Sequence, residues 1–246
     1  MRHFGLIGKT LSHSFSQKFF TEKFQQENIS GDYKLFPLED INALKAVLGP
    51  HNLSGFNVTL PYKESIIPLL DDISEEAKII GAVNTVKITD NGWIGYNTDA
   101  FGFKESLKPF LKRHHRKALI LGTGGASKAV KYVLDELGLE SLFVSRNPSD
   151  ANEVSYDELN ENALAIFPFI INCTPVGTFP NDNEKPNIPY PFLTKNNFLY
   201  DLVYNPKETA FIKEGRAHGS QVMNGLNMLH FQAEKAWEIW CSDLNN

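Results

Sequence analysis

Leu119-Ile120-Leu121-Gly122-Thr123-Gly124-Gly125-Ala126-Ser127 is the stretch on which the reading of this 246-residue chain turns. The apolar residues 118–121 suit a short buried strand, the glycines suit a tight turn, and 126–137 suits a helix that stops at Gly138. A strand, a glycine turn and a helix start, in that order, make a dinucleotide-binding turn. Gly122 would form the bend, and Gly124 would let backbone N–H groups approach a pyrophosphate at the helix N-terminus, with Gly125 and Ala126 completing the turn. Ser127 occupies the third glycine position, a departure that a small side chain tolerates. Glycine turns of this kind also occur for structural reasons alone, so the next strand matters.

That strand, 141–144, runs into Ser145-Arg146-Asn147. An NAD enzyme places a carboxylate here, about 20 residues on, for the ribose 2′-OH. Here no carboxylate is present, and Arg146 suits the 2′-phosphate of NADP, because guanidinium pairs with phosphate oxygens. Without the glycine turn upstream, Arg146 would read as an ordinary exposed arginine.

Outward from this point, strand-like and helix-like segments alternate, which predicts an α/β fold with mostly parallel sheet. Strands are expected at 3–7, 32–36, 55–58, 169–172 and 198–201, and helices at 16–28, 38–48, 63–70, 74–80 and 99–111. Asp90-Asn91-Gly92 joins 85–88 to 93–95 as a hairpin. Segment 181–191 reads as a surface loop and 225–240 as a final helix. The basic run Arg113-His114-His115-Arg116-Lys117 reads as a solvated linker, with the His114-His115 pair in water.

Composition narrows the function classes. A net charge of −5 argues against nonspecific nucleic-acid binding, which needs a basic face. Cys173 and Cys241 are far apart without CxxC spacing, so a disulfide framework is excluded and a cytoplasmic compartment expected. No metal ligand spacing, signal peptide or membrane-length apolar run is present.

Four segments are too polar for the strand ends on which they sit: Ser12-His13-Ser14-Phe15-Ser16, Asn57-Val58-Thr59-Leu60-Pro61-Tyr62-Lys63, Gly81-Ala82-Val83-Asn84-Thr85 and Asn97-Thr98-Asp99. Loops at strand C-termini are where α/β sheets bind ligands, and this mixture of hydroxyls, amides, an ammonium and a carboxylate suits a small polyhydroxylated acid. With the glycine turn, the Ser145-Arg146-Asn147 end, 201–206 and 225–233, these segments stand in the order found in the shikimate dehydrogenase family, and the chain resembles that family from about Gly8 to Gln232.

The resemblance implies reversible NADPH-dependent reduction of 3-dehydroshikimate to shikimate, in aromatic amino-acid biosynthesis. Lys63 would be the general acid/base and Asp99 its partner. Ser14, Ser16 and Tyr204 would hold the substrate carboxylate, and Thr59, Asn84, Asp99 and Gln232 the ring hydroxyls. Gly122, Gly124, Gly125, Ala126, Ser127, Ser145, Arg146, Thr174, Leu202 and Gly225 would bind NADP. Each residue has a plainer alternative: Lys63 a solvated charge, Asp99, Ser14 and Ser16 helix caps, Asn84 and Asn97 left-handed turn residues, Tyr204 and Gln232 packing residues. The ordered motifs favour the site roles.

The chain departs from the family at Thr178, where methionine is usual, and at 147–150, which lacks the second basic residue after the arginine; it is also shorter between Arg146 and Asn172. A quinate/shikimate dehydrogenase with broader substrate or NAD use is the nearest rival. A methylenetetrahydrofolate dehydrogenase and a noncatalytic NADP-binding sensor are further ones, and the Lys63 and Asp99 contexts count against both. Residues 1–98 are expected to form a substrate domain completed by helix 225–246, and 99–224 the Rossmann-like NADP-binding domain, with a cleft between. A small molecule is the expected ligand, without nucleic acid, membrane or metal. A monomer and a homodimer fit the sequence equally.

Overall fold

The computed structural model describes residues 1–11, 14–112 and 114–242; Ser12, His13 and Arg113 of the motifs above lie outside the described residues. The chain divides into two compact units, Met1–Phe101 with Phe231–Asn246, and Gly102–His230. The first division falls inside helix α4 (Asp99–Leu107) and the second inside α8 (Leu226–Cys241), so Asp99 and Gln232 belong to the first unit.

The first unit holds a mixed six-stranded sheet: β1 (Arg2–Gly8), β2 (Gly31–Pro37), β3 (Gly55–Val58), β4 (Asp72–Ile73), β5 (Thr85–Thr89) and β6 (Gly92–Tyr96), in the order β2-β1-β3-β5-β6-β4. β1 is parallel to β2 and β3, whereas the β5–β6 hairpin makes β5 antiparallel to β3. Strand periodicity sorts the side chains onto two faces. Ile7, Phe36, Phe56 and Val58 pack with α2 (Leu44–Leu48) and α3 (Glu75–Ile80). Phe4, Leu6 and Tyr33 pack on the opposite face with α1 (Phe15–Gln26) and the C-terminal part of α8. There the Trp240 ring stacks on Phe4, with centroids 4.6 Å apart. Its Nε1 donates to the Val86 carbonyl at 2.9 Å.

The second unit holds a six-stranded parallel sheet: β7 (Lys117–Leu121), β8 (Glu140–Ser145), β9 (Glu153–Ser155), β10 (Phe169–Asn172), β11 (Phe198–Asp201) and β12 (Gln221–Asn224), in the order β12-β11-β10-β7-β8-β9. It carries α5 (Gly125–Glu136), α6 (Glu161–Ile166) and α7 (Ala210–Ala217). Leu119, Leu121, Val144, Ile170 and Leu199 form the core of one face.

Several expectations need correction. Segment 63–70 is not an α-helix but turns ending in a single 3₁₀ turn, Ile67–Leu69, because the Lys63 carbonyl is committed to the Val83 N–H at 2.7 Å. Segment 38–48 is helical only from Ile41, beginning as a 3₁₀ turn capped by Asp40, because the Leu38 N–H bonds the Gly8 carbonyl. Helix α4 ends at Leu107, short of Leu111, since Pro109 disfavours helical backbone before it. Loop 181–191 buries Ile188 and Tyr190. His115 is not solvated: it is 3% exposed, with its ring against Phe169 and Phe198.

Candidate active site

The first unit gathers its polar residues at the ends of β3, β5 and β6. β3 runs out into Thr59 and a bend, and the Val83 N–H holds the Lys63 carbonyl beyond it at 2.7 Å. Asn84 bridges two strands through its backbone, its N–H to the Tyr96 carbonyl at 3.1 Å and its carbonyl to the Val58 N–H at 2.9 Å. Asn97 caps α4 by accepting from the Ala100 N–H at 3.1 Å, and its amide donates to the Ala82 carbonyl at 2.9 Å. Asn97, not Asp99, is therefore the cap, and Asp99 lies in the first helical turn. Neither Asn84 nor Asn97 adopts positive φ.

Lys63 Nζ donates to Asp99 Oδ2 at 2.6 Å, and the two side chains are only 14% and 8% exposed. Asp99 Oδ1 accepts from Asn84 Nδ2 at 2.9 Å. Asn84 Oδ1 accepts from the Thr98 N–H at 2.7 Å, which fixes the amide the right way round. Gln232 Oε1 accepts from Thr98 Oγ1 at 3.3 Å and from Asn84 Nδ2 at 3.4 Å. Among the described residues Asp99 is the sole hydrogen-bond partner of the Lys63 ammonium, leaving two of its N–H donors for a ligand. A low-dielectric cluster with a fixed carboxylate and an ammonium that keeps donors to spare can stabilise a developing oxyanion and exchange a proton with it.

The structure thus joins Lys63, Asn84, Asp99 and Gln232 by direct side-chain hydrogen bonds. Thr59, Ser14 and Ser16 make none with these four among the described residues. Ser14 is the N-cap of α1, accepting from the Gln17 N–H at 3.2 Å, and its own O–H is left to donate. Tyr204 lies in the second unit. Thr98, Thr85 and Asn57 are buried in the same network, although sequence reasoning assigned them no role. They sit inside the quoted motifs, and only their burial distinguishes them from turn residues.

The second unit presents its parallel strand ends. Gly122 has φ +101°, a conformation that favours glycine, and a Cβ there would lie 3.1 Å from the Thr174 methyl. Gly124 is the N-cap of α5 in extended backbone, with no side-chain cap and no acidic residue in the first turn. The first-turn N–H groups therefore face outward with positive partial charge. Beneath them Ser127 Oγ is buried without a hydrogen-bond partner among the described residues. Free N–H groups, an orphaned hydroxyl and open space over Gly124 fit a pyrophosphate.

At the end of β8, Ser145 Oγ accepts from the Asn147 N–H at 3.2 Å. The exposed Arg146 stands near Tyr156, whose phenol is pushed above its ordinary range by burial while the Arg146 charge pulls it down. Thr174 is anchored to Asn172 Oδ1 through its hydroxyl at 2.6 Å and its N–H at 3.0 Å. Asn172 Nδ2 in turn donates to Asp201 at 2.9 Å. A Cβ on Gly225 would fall 2.2 Å from the Leu202 carbonyl oxygen, so only glycine fits this crossing. Among the described residues no cluster of three His, Cys, Asp or Glu forms a metal site. No helix is long and apolar enough to cross a membrane.

Comparison with known proteins bears on both units. Residues 6–86 match the family model of the shikimate dehydrogenase substrate binding domain. A shikimate dehydrogenase (NADP(+)) of Clostridium botulinum is 41% identical over 247 residues, covering 96% of this chain and 95% of the relative. Among solved structures, shikimate dehydrogenase 1 from Peptoclostridium difficile is 40% identical with a TM-score of 0.88, covering 98% of this chain and 92% of that one. The Thermus thermophilus shikimate 5-dehydrogenase, solved in complex with NADP(H) and shikimate, is 33% identical with a TM-score of 0.87, covering 98% and 94%.

Proposed function

This chain belongs to the shikimate dehydrogenase family, and from its site we propose that it interconverts 3-dehydroshikimate and shikimate with NADP as the hydride partner. What carries the proposal is the hydrogen-bonded Lys63–Asp99 pair, held by Asn84 and Gln232 with two ammonium N–H donors to spare.

When bound, NADPH supplies the hydride for the ketone carbon. As the ketone oxygen gains negative charge, the free N–H groups of Lys63 stabilise it and one delivers its proton. This interaction is strongest in the transition state and so raises kcat rather than only tightening binding. Asp99 orients the ammonium, and Asn84 holds the far carboxylate oxygen so that the near one stays on Lys63. In the oxidising direction Lys63 accepts the proton of the same hydroxyl. Ser14, Ser16 and Tyr204 bind the substrate carboxylate, and Thr59, Asn84 and Gln232 the ring hydroxyls. Gly122, Gly124, Gly125, Ala126 and Ser127 hold the pyrophosphate, Ser145 and Arg146 the 2′-phosphate, and Thr174, Leu202 and Gly225 the rest of the cofactor. The first unit is the substrate domain, the second the cofactor domain, and the enzyme works in the cytoplasm.

A second reading is favoured by the stretch after Arg146. It has no further cation, and Glu153 is tied there to the Ser149 N–H at 2.9 Å, so acidic groups share the region with the one arginine. NAD use alongside NADP, and a broader acid substrate, would follow. Initial rates with shikimate or quinate, each paired with NADP or NAD, separate the two. Turnover concentrated on shikimate with NADP is expected. Comparable rates with quinate or NAD would move the chain to the broader class, and no turnover with any pair would overturn the assignment.

A further inference from the structure

Two separate segments supply Lys63 and Asp99, and neither residue lies in the sheet. Lys63 follows the bend after β3, and Asp99 stands in the first turn of α4. Three consecutive residues that fall between them in the chain, Ala82, Val83 and Asn84, hold both. The Val83 N–H binds the Lys63 carbonyl at 2.7 Å. Asn84 Oδ1 accepts from the Thr98 N–H at 2.7 Å, one residue before Asp99. The Ala82 carbonyl accepts from the Asn97 side-chain amide at 2.9 Å. Asn84 is itself braced from β3: its carbonyl accepts from Asn57 Nδ2 at 3.2 Å, and Asn57 Oδ1 accepts from the Tyr33 hydroxyl at 2.7 Å.

Asn97 does more than a helix cap requires. Its Oδ1 accepts from the Ala100 N–H at 3.1 Å, a bond that serine, threonine or aspartate would make as well. Only the amide adds a donor, and its two partners allow one orientation, because a backbone N–H only donates and a carbonyl only accepts. The side chain is 3% exposed and Ala82 is fully buried, so the bond between them is made away from water. The bonds of Thr98 and Asp99 to this segment both end on the one Asn84 side chain, which by itself leaves the start of α4 a single pivot. The Asn97–Ala82 bond is a second anchor, on backbone, next to the residue that holds Lys63.

Resting on the function proposed above, we infer that Asn97 is a positioning residue for the proton transfer: through Ala82 it locks the first turn of α4, and with it the Asp99 carboxylate, in register with Lys63. Two anchors fix the direction from which Asp99 reaches the ammonium, and the ammonium's remaining N–H groups are aimed by that bond. A displacement of about 1 Å at a reacting group costs up to about 10²-fold in rate. Substrate and cofactor binding do not depend on that aim to the same degree, so the loss of Asn97 falls on the chemical step.

Asn97→Ser and Asn97→Ala separate the two bonds. Serine keeps the cap but has a single oxygen in place of the amide that reaches Ala82, whereas alanine gives up both bonds. Oxidation of shikimate by NADP and the melting temperature are measured on each variant, and the kinetics again in the Lys63→Met background. Both variants are expected to lower kcat by about 10-fold, with KM for NADP near wild type. The melting temperature of the serine variant should stay above that of the alanine variant, and Asn97→Ser should add little once Lys63 is gone. A serine variant with the wild-type kcat would overturn the inference, because Asn97 would then be a cap alone. So would an equal penalty with and without Lys63, since the effect would not pass through the ammonium. Wild-type chain that does not turn over shikimate would overturn the proposed function itself, and the inference with it.

Discussion

His115 lies in the most basic run of the chain, yet its ring sits 5.5 Å from that of Phe198, and its Nδ1 accepts from the Lys112 N–H at 3.2 Å. Burial first, then the charges of His114 and Lys112, lowers it from 6.5 to about 4. A depressed folded pKa means that the unfolded chain takes up the proton first. The contribution is therefore present above pH 6.5 and lost as the pH falls toward 4. His115→Asn keeps an acceptor for Lys112 but removes the titration. Its destabilisation in urea is expected to be smaller at pH 5 than at pH 7, and equal values at both would mean that His115 does not couple its titration to folding. The sequence hid His115 because its charged neighbours mask a side chain that turns inward. Lys63 and Asp99 were legible for the opposite reason: their company of short polar motifs in a fixed order outweighs what either residue says alone. Tyr33 and Asn57 were not, since a hydroxyl or amide on a strand gives no sign of whether its partner is water or another buried side chain.

Among the elements, α7 shows how a cap and a buried charge can share one atom. Thr209 Oγ1 accepts from the Ile212 N–H at 3.2 Å and donates to Asp201 Oδ2 at 2.5 Å. Burial raises the Asp201 carboxyl to about 6, against the pull of donors from Thr209, the Val203 N–H and Asn172. Its raised pKa gives stability that is full below 3.8 and lost as the pH rises through about 6. Thr209→Val keeps the shape but removes the cap, worth about 1 kcal/mol, and strips a donor from a buried carboxylate, about 1–3 kcal/mol more. A loss of about 2–4 kcal/mol by chemical denaturation at pH 7 is expected, and a smaller one at pH 5, where Asp201 is largely protonated. Strand and helix positions with strong apolar patterning, such as β3, β10 and β11, could be read directly. The failures at 38–48 and 63–70 were helix patterns overridden by backbone bonds to distant segments, which no local window contains. β9, with three residues, and α6, with six, are too short to show a period.

For the whole molecule, the alternating pattern and the Gly122 turn were enough to predict an α/β fold, and the parallel sheet of the second unit has that form. The first unit's sheet is mixed because the Asn91-Gly92 hairpin returns β6 against β5, and the hairpin itself was visible in the sequence. Packing Phe231–Asn246 into the first unit brings Gln232 onto Asn84 and Thr98 across more than half the chain, a juxtaposition that only the tertiary fold supplies. If this assembly lets Lys63 protonate the ketone oxygen as the hydride arrives, removing the ammonium must slow the reduction. The decisive experiment is a single-turnover reduction of 3-dehydroshikimate by saturating NADPH, in wild type and in Lys63→Met, with NADPH affinity measured on both proteins. The rate is expected to fall by about 10²- to 10⁴-fold with NADPH affinity unchanged. A variant that reduces the ketone at the wild-type rate would contradict this role of Lys63.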